Sequence, residues 1–255
     1  LLHCAVKLPQ LVLPLHCVCV HLSLFARSRR LQLDALANRI EDLVPPTAFI
    51  PAGERYYLMP SIDRWVVRTT FRMLRDHQAL TGRAGGEIGM VAINLSGQSL
   101  CDEAFLDYLL MQFRDFAIDP GHVCFEITET AAIANLSDAV RFIGRLKELG
   151  CKFALDDFGS GLSSFGYLKT LPVDYLKIAG NFVLGVANDP VDHAMVDAII
   201  QIGHVMGLKT IAESVENDIV LGKLKYLGVD YAQGYGIGAV RPLLEVCTGS
   251  SQLRV

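Results

Sequence analysis

From residue 60 onward, short apolar runs alternate with longer amphipathic ones, and each short run ends in a polar residue. Ser61 offers a cap to a helix whose Ile62, Trp65, Val66, Met73 and Leu74 form one apolar stripe. Residues 89–96 (GMVAINLS) follow Gly85-Gly86 and read as a strand ending at Asn94. A helix over 102–115 leads to a second strand at 123–130 (VCFEITET), with Glu126 near its end. The next helix covers 136–148 and closes with Gly150. The run Phe153-Ala154-Leu155 then meets two adjacent carboxylates, Asp156 and Asp157. Residues 173–180 (VDYLKIAG) carry Lys177, and a long helix spans 191–206. Residues 208–217 (LKTIAESVEN) deliver Glu213, and after a short helix 229–238 (VDYAQGYGIG) deliver Gln233.

These are six strand-then-helix units, with spacings of 32, 30, 21, 36 and 20 between the marked polar residues. Such alternation argues a parallel sheet. Polar residues at successive strand ends are where a barrel of the TIM type keeps its chemistry. An open doubly wound sheet should carry a glycine-rich phosphate loop, and neither GxGxxG nor GxxxxGK[ST] occurs. The fold class is therefore α/β, a (β/α)8 barrel with its N-terminal two units degenerate or atypical. Material for those two lies only in 11–24 and 47–51.

The first residues fit least well. Residues 8–26 lack Asp, Glu, Lys and Arg and are followed by Arg27, Arg29 and Arg30, the length and flank of a marginal membrane span. Pro9, Gln10, Pro14, His16 and His21 weaken that reading, leaving buried strands or a truncated or disordered end as the alternatives, in a cytoplasmic protein. Residues 31–43 look helical before Pro45-Pro46 break the chain. The division expected is an atypical segment over 1–44, a barrel over 45–245 and a tail over 246–255.

Composition narrows the partners. Over 255 residues the hydrophobic fraction is 51% and the net charge −4, which suits a folded domain without a basic footprint for DNA or RNA duplexes. The seven cysteines read as buried thiols, and Cys17 and Cys19 lack zinc spacing.

Asp156-Asp157 is the densest chemistry. Adjacent strand residues point to opposite faces, so the strand must end here for both carboxylates to share a site. Two crowded anions at a buried strand end need a cation. An Asp-rich turn capping a helix is the ordinary alternative. Taken singly, Asn94 reads as a turn former, Glu126 and Lys177 as salt-bridge partners and Gln233 as a loop cap; at successive strand ends they make one set. Oxygen donors without histidine suit Mg²⁺ or Mn²⁺, and this set can hold two such ions. Paired ions of that kind serve hydrolysis of a phosphodiester, with Lys177 orienting water or neutralising the transition state. Aldolase or isomerase chemistry is the competing class, but a Schiff-base lysine wants a more apolar surround.

Residues 94–96 (NLS), 126–129 (EITE), 156–161 (DDFGSG), 162–178 (LSSFGYLKTLPVDYLKI), 212–216 (AESVE) and 233–235 (QGY), with PPTAFIP at 45–51, together resemble the motifs of EAL domains. That resemblance implies a bacterial phosphodiesterase hydrolysing cyclic di-GMP to linear pGpG on a (β/α)8 barrel with Mg²⁺ or Mn²⁺. It further implies metal binding by Asn94, Glu126, Asp156 and Glu213, with Asp157 bridging towards a second ion. Lys177 and Gln233 would help hold the attacking water. Glu129 would steady the loop after Asp157, and Glu216 would stand behind the ligands. Leu162, Ser163 and Ser164 are the candidates for substrate contact. A homodimer and an upstream regulatory or cyclase domain are the partners it implies.

The chain also departs from the family. No Glu-Ala-Leu triplet occurs, so the first ligand glutamate is missing, and Glu41-Asp42-Leu43 is its nearest imitation. Ala179 replaces the aspartate expected after Lys177-Ile178, and Ser214 replaces the usual glycine. Two readings follow: a phosphodiesterase with impaired catalysis, or an inactive module that binds cyclic di-GMP or a protein partner.

Overall fold

The computed structural model describes residues 2–7, 17–20, 46–81, 90–161 and 166–238. Its strands are β1 (Leu2–Lys7), β2 (Cys17–Val20), β3 (Met90–Leu95), β4 (Val123–Thr128), β5 (Lys152–Phe158), β6 (Tyr175–Ile178), β7 (Lys209–Ala212) and β8 (Tyr231–Gln233). The six strands β3–β8 form a curled parallel sheet. β2 extends it in parallel beside β3, and β1 completes the ring by pairing antiparallel with both β2 and β8. This is the expected (β/α)8 architecture with one reversed strand. Two of its strands come from the first 44 residues.

The helices are α1 (Pro46–Arg55), α2 (Met59–Thr81), α3 (Gly97–Leu100), α4 (Glu103–Phe116), α5 (Glu129–Ala134), α6 (Leu136–Lys147), α7 (Gly180–Gly185), α8 (Pro190–Val205) and α9 (Asp218–Leu227). Their ends follow local chemistry. Asp189 caps α8 through the amides of Val191 and Asp192, and Asn217 caps α9 through those of Ile219 and Val220. Gly228 ends α9 in the left-handed conformation.

Four expectations need correction. Strand β1 is Leu2–Lys7, ahead of residues 11–24 and 47–51, the only material expected for the first two units. Residues 47–51 are helical, because Pro46 opens a helix whose first turn needs no proline amide. Ser61 lies inside α2, which starts at Met59. The stripe of α2 runs through Ile62, Val66, Val67, Phe71 and Leu74, whereas Trp65 is 36% exposed at its rim. The anchor reading of 8–26 falls largely outside the described residues; within it, Cys17–Val20 is strand β2. No helix among the described residues is long and apolar enough to cross a membrane.

The main core lies between sheet and helices, built on Phe71, Phe105, Phe113, Phe125, Phe153 and Leu176 among others. A smaller cluster fills the ring itself: Met90, Ala92, Cys124, Ala154 and Ile211, with Tyr175 and Tyr231 packed against it. Side chains alternate across a strand. The inward positions therefore continue two residues further along each strand, to Asn94, Glu126, Asp156, Lys177, Glu213 and Gln233. The polar end of the ring is the same inward face, one layer higher.

Candidate active site

Glu126, Asp156, Lys177 and Gln233 are buried, and Asn94 and Glu213 are partly so. Lys177 stands at the centre. Its Nζ lies 3.0 Å from Glu126 Oε2, 2.8 Å from Asp156 Oδ1 and 2.7 Å from Glu213 Oε1. Asn94 Nδ2 donates to Glu126 Oε2 at 3.2 Å, tying β3 to β4. The register explains the meeting, since Asn94 stands opposite Glu126 and β4, β5, β6 and β7 follow in ladder order.

Asp157 joins by a distortion. β5 continues through Phe158, with its register broken between Leu155 and Phe158, and Asp157 adopts φ +55°. The strand thus does not stop at Asp156, as the alternation argument required; a left-handed residue within it does the same work. Asp156 Oδ1 accepts the Asp157 amide at 3.0 Å and fixes that turn. As a result Asp156, Asp157 and Glu213 each bring a carboxylate oxygen within 4.8 Å of the others, a group able to hold a metal ion.

The electrostatics fit a cation. Burial, then the charge of Asp156, pushes the Asp157 carboxyl above its ordinary value. Burial pushes Glu213 up to about 8, against the pull of Lys177 and with the charges of Asp156 and Glu126 adding to it. One ammonium among four carboxylates leaves negative charge in excess, and a divalent ion bound by oxygen ligands would offset it.

Glu129 is buried at the start of α5. It accepts the Gly159 amide at 3.0 Å on one oxygen and the Tyr167 hydroxyl on the other. Both ends of the segment that follows Asp157 are thereby tied to one carboxylate. Leu162, Ser163 and Ser164 lie within that segment and outside the described residues; Glu41, far earlier in the chain, is also outside the described residues. Glu216 is exposed.

The QGY motif has a backbone reason. Val215 N donates to Gln233 O at 3.0 Å and Gly236 N to Val215 O at 2.8 Å, so the chain after β8 lies flat on the one after β7. A Cβ on Gly234 would come 2.3 Å from Val215 N. Only glycine permits that approach, which sets Gln233 beside Glu213's loop.

Asp63 and Tyr167 were not picked out from the sequence. Asp63 reads as a polar position on an amphipathic helix, yet it shares the buried stripe with Ile62, Val66 and Val67. A carboxylate on the apolar face was the available signal. A groove of about 980 Å³ runs from Asp156 and Asp157 past Asn94 and Ser96 to Asp63 and Pro60.

Residues 27–239 match the family model described as EAL domain. The chain belongs to that family. It is 43% identical over 226 residues to the cyclic di-GMP phosphodiesterase PdeB of Shewanella oneidensis, covering 87% of the chain and 26% of that protein. It is 35% identical to the cyclic di-GMP phosphodiesterase PdeA of Borreliella burgdorferi, over 80% of the chain and 30% of the relative. The chain thus spans about a quarter to a third of the length of these relatives. Among solved structures, the PaMucR phosphodiesterase in complex with c-di-GMP superposes with TM-score 0.81 at 28% identity, covering 96% of this chain and 93% of that one. The FimX EAL domain of Pseudomonas aeruginosa bound to c-di-GMP gives 0.78 at 26%, over 93% and 88%.

Proposed function

We propose that this EAL domain hydrolyses cyclic di-GMP to linear pGpG with Mg²⁺ or Mn²⁺ in a two-metal site. The observation that carries the reading is the cluster of Asp156, Asp157 and Glu213, with carboxylate oxygens within 4.8 Å, around the Lys177 ammonium. The relatives named as cyclic di-GMP phosphodiesterases support the substrate.

Asn94, Glu126, Asp156 and Glu213 would hold one ion, and Asp157 would bridge towards the second. Such ions polarise a phosphoryl oxygen and lower the pKa of water. The remaining roles belong to the chain. Lys177, held by Glu126, Asp156 and Glu213, presents a fixed positive charge where the phosphate gains negative charge in the transition state. Gln233, buried at the end of β8, orients the attacking water. Glu129 keeps Asp157 in its left-handed turn by gripping Gly159 and Tyr167. A homodimer and an upstream regulatory or cyclase domain complete the reading; that this chain spans only 26% of PdeB supports further domains.

The second reading is a module that binds cyclic di-GMP without turning it over. The missing Glu-Ala-Leu triplet and Ala179 favour it. The test is to measure cyclic di-GMP binding by calorimetry with Ca²⁺ or Mn²⁺, then recover the nucleotide and separate it from pGpG. Binding with product in Mn²⁺ supports the hydrolase. Saturable binding with intact cyclic di-GMP supports the sensor, and the absence of binding rules out both.

A further inference from the structure

Asp63 stands on α2, outside the ring, and is 2% exposed. Its Oδ2 accepts three hydrogen bonds: from the Ser96 amide at 2.9 Å, the Ser96 hydroxyl at 2.7 Å and the Ser99 hydroxyl at 2.7 Å. Among the described residues no ion pair reaches it. Burial raises its pKa, against the pull of the Ser99 and Ser96 hydrogen bonds and of the neighbouring Arg64 charge. A buried carboxylate served by neutral donors is an expensive way to pack a helix on a sheet, since an apolar side chain would do so without desolvating a charge.

What the carboxylate secures is the place where β3 stops. Ser96 follows Asn94 by two residues and caps α3, its hydroxyl accepting the Ser99 amide. Asp63 therefore grips the backbone and side chain of the residue that turns the chain from β3 into α3. Asn94 reaches across to Glu126 from that same strand end. A second tie runs in parallel, as Gln98 Nε2 donates to Glu54 O of α1 at 2.7 Å. Asp63, Ser96, Asn94, Asp156 and Asp157 all line one groove.

We propose that Asp63 is a positioning residue of the metal-dependent site, holding Asn94 through Ser96 in the place where it serves as a ligand. This rests on the reading that Asn94 binds a divalent cation. The effect on metal affinity is that of a hydrogen-bond partner behind a ligand, and its carrier is the direction in which the Asn94 amide points.

The experiment is a calorimetric titration of the full chain with MnCl2 for wild type, Asp63→Ala, Asp63→Asn, Asn94→Ala and the double variant Asp63→Ala/Asn94→Ala. Thermal melting of the metal-free proteins reports stability separately. Asp63→Ala is expected to weaken Mn²⁺ binding by about tenfold. Asp63→Asn keeps an oxygen for the three donors and is expected to stay within about threefold of wild type. In the Asn94→Ala background Asp63→Ala should add nothing, because its route to the metal is gone. Equal Mn²⁺ affinity in wild type and Asp63→Ala, or the same loss with and without Asn94, overturns the proposal. If Asp63→Ala does not fold, Ser96→Ala takes its place, with about a threefold loss expected and an unchanged affinity contradicting. Wild type that binds no Mn²⁺ removes the hydrolase reading and this proposal together; wild type that binds beside indifferent variants removes this proposal alone.

Discussion

Gly180 begins α7 three residues after Lys177, and a Cβ there would lie 2.4 Å from Ser214 Oγ and 2.9 Å from Ser214 Cβ. Ser214 directly follows Glu213 and holds φ +52°, a left-handed conformation that is strained for a serine and free of strain for glycine. In Gly180→Ala the hydroxyl can rotate away, but the Cβ contact eases only if the backbone between Glu213 and Val215 moves. Overpacking of this kind costs about 1–3 kcal/mol. In the background of Ser214→Gly both colliding atoms are gone, so the cost of Gly180→Ala should fall below about 0.5 kcal/mol, a coupling of at least about 0.5 kcal/mol. Ser214→Gly alone should stay within about 1 kcal/mol of wild type, since relief of strain offsets the added freedom of the unfolded glycine. Urea denaturation followed by circular dichroism measures all four proteins. Because Lys177 and Glu213 meet at 2.7 Å across these loops, Gly180→Ala should also reduce turnover and Ser214→Gly should restore it. The same cost in both backgrounds would refute the steric account.

Lys177→Met leaves Glu126, Asp156 and Glu213 facing one another without their ammonium; the metal-free protein should lose about 3–5 kcal/mol, and Mn²⁺ should recover part of it in a melting experiment. At the other end of the ring, Asp230 accepts from His204, Lys209 and both Thr210 groups. Burial raises its pKa, yet the hydrogen bonds from Lys209, the Thr210 amide and His204, with the charge of Lys209, together outweigh burial and hold it below the usual carboxylate value. A folded pKa below the unfolded one gives stability above about pH 4 that is lost as pH falls through the folded value. Asp230→Asn should therefore cost about 1–2 kcal/mol at pH 7, and its stability should converge on that of wild type in acid, as read by urea melts across pH. Tyr167→Phe removes one of Glu129's two ties; turnover should fall about tenfold with little change in melting temperature, and full activity would show the tie to be idle.

The site was legible because a barrel strand is a ruler. Asn94, Glu126, Asp156, Lys177, Glu213 and Gln233 each stand two residues beyond an inward apolar or small residue: Ala92, Cys124, Ala154, Tyr175, Ile211 and Tyr231. A polar residue in that phase at the end of an apolar run marks the mouth of the ring from sequence alone. Other features had no such ruler. Residues 47–51 are too few for periodicity to separate strand from helix, and the proline at the first helical position decided the outcome. The irregularity at Asp157 depends on a backbone conformation that carries no side-chain pattern. Asp63 was hidden because its partners, Ser96 and Ser99, lie more than thirty residues away in the chain. β1 was missed for a similar reason: its pairing partners, Cys17–Val20 and Tyr231–Gln233, are set by ring closure.

The most direct test of the account follows cyclic di-GMP and linear pGpG by chromatography over time, with Mn²⁺, for wild type and Asp156→Asn. The metal-dependent site predicts pGpG from wild type, its loss on adding EDTA, and at least a hundredfold slower appearance with Asp156→Asn, in line with about 10²–10³ for removing a charge-stabilising group. Product formed at equal rates by both proteins, or undiminished by EDTA, would contradict it.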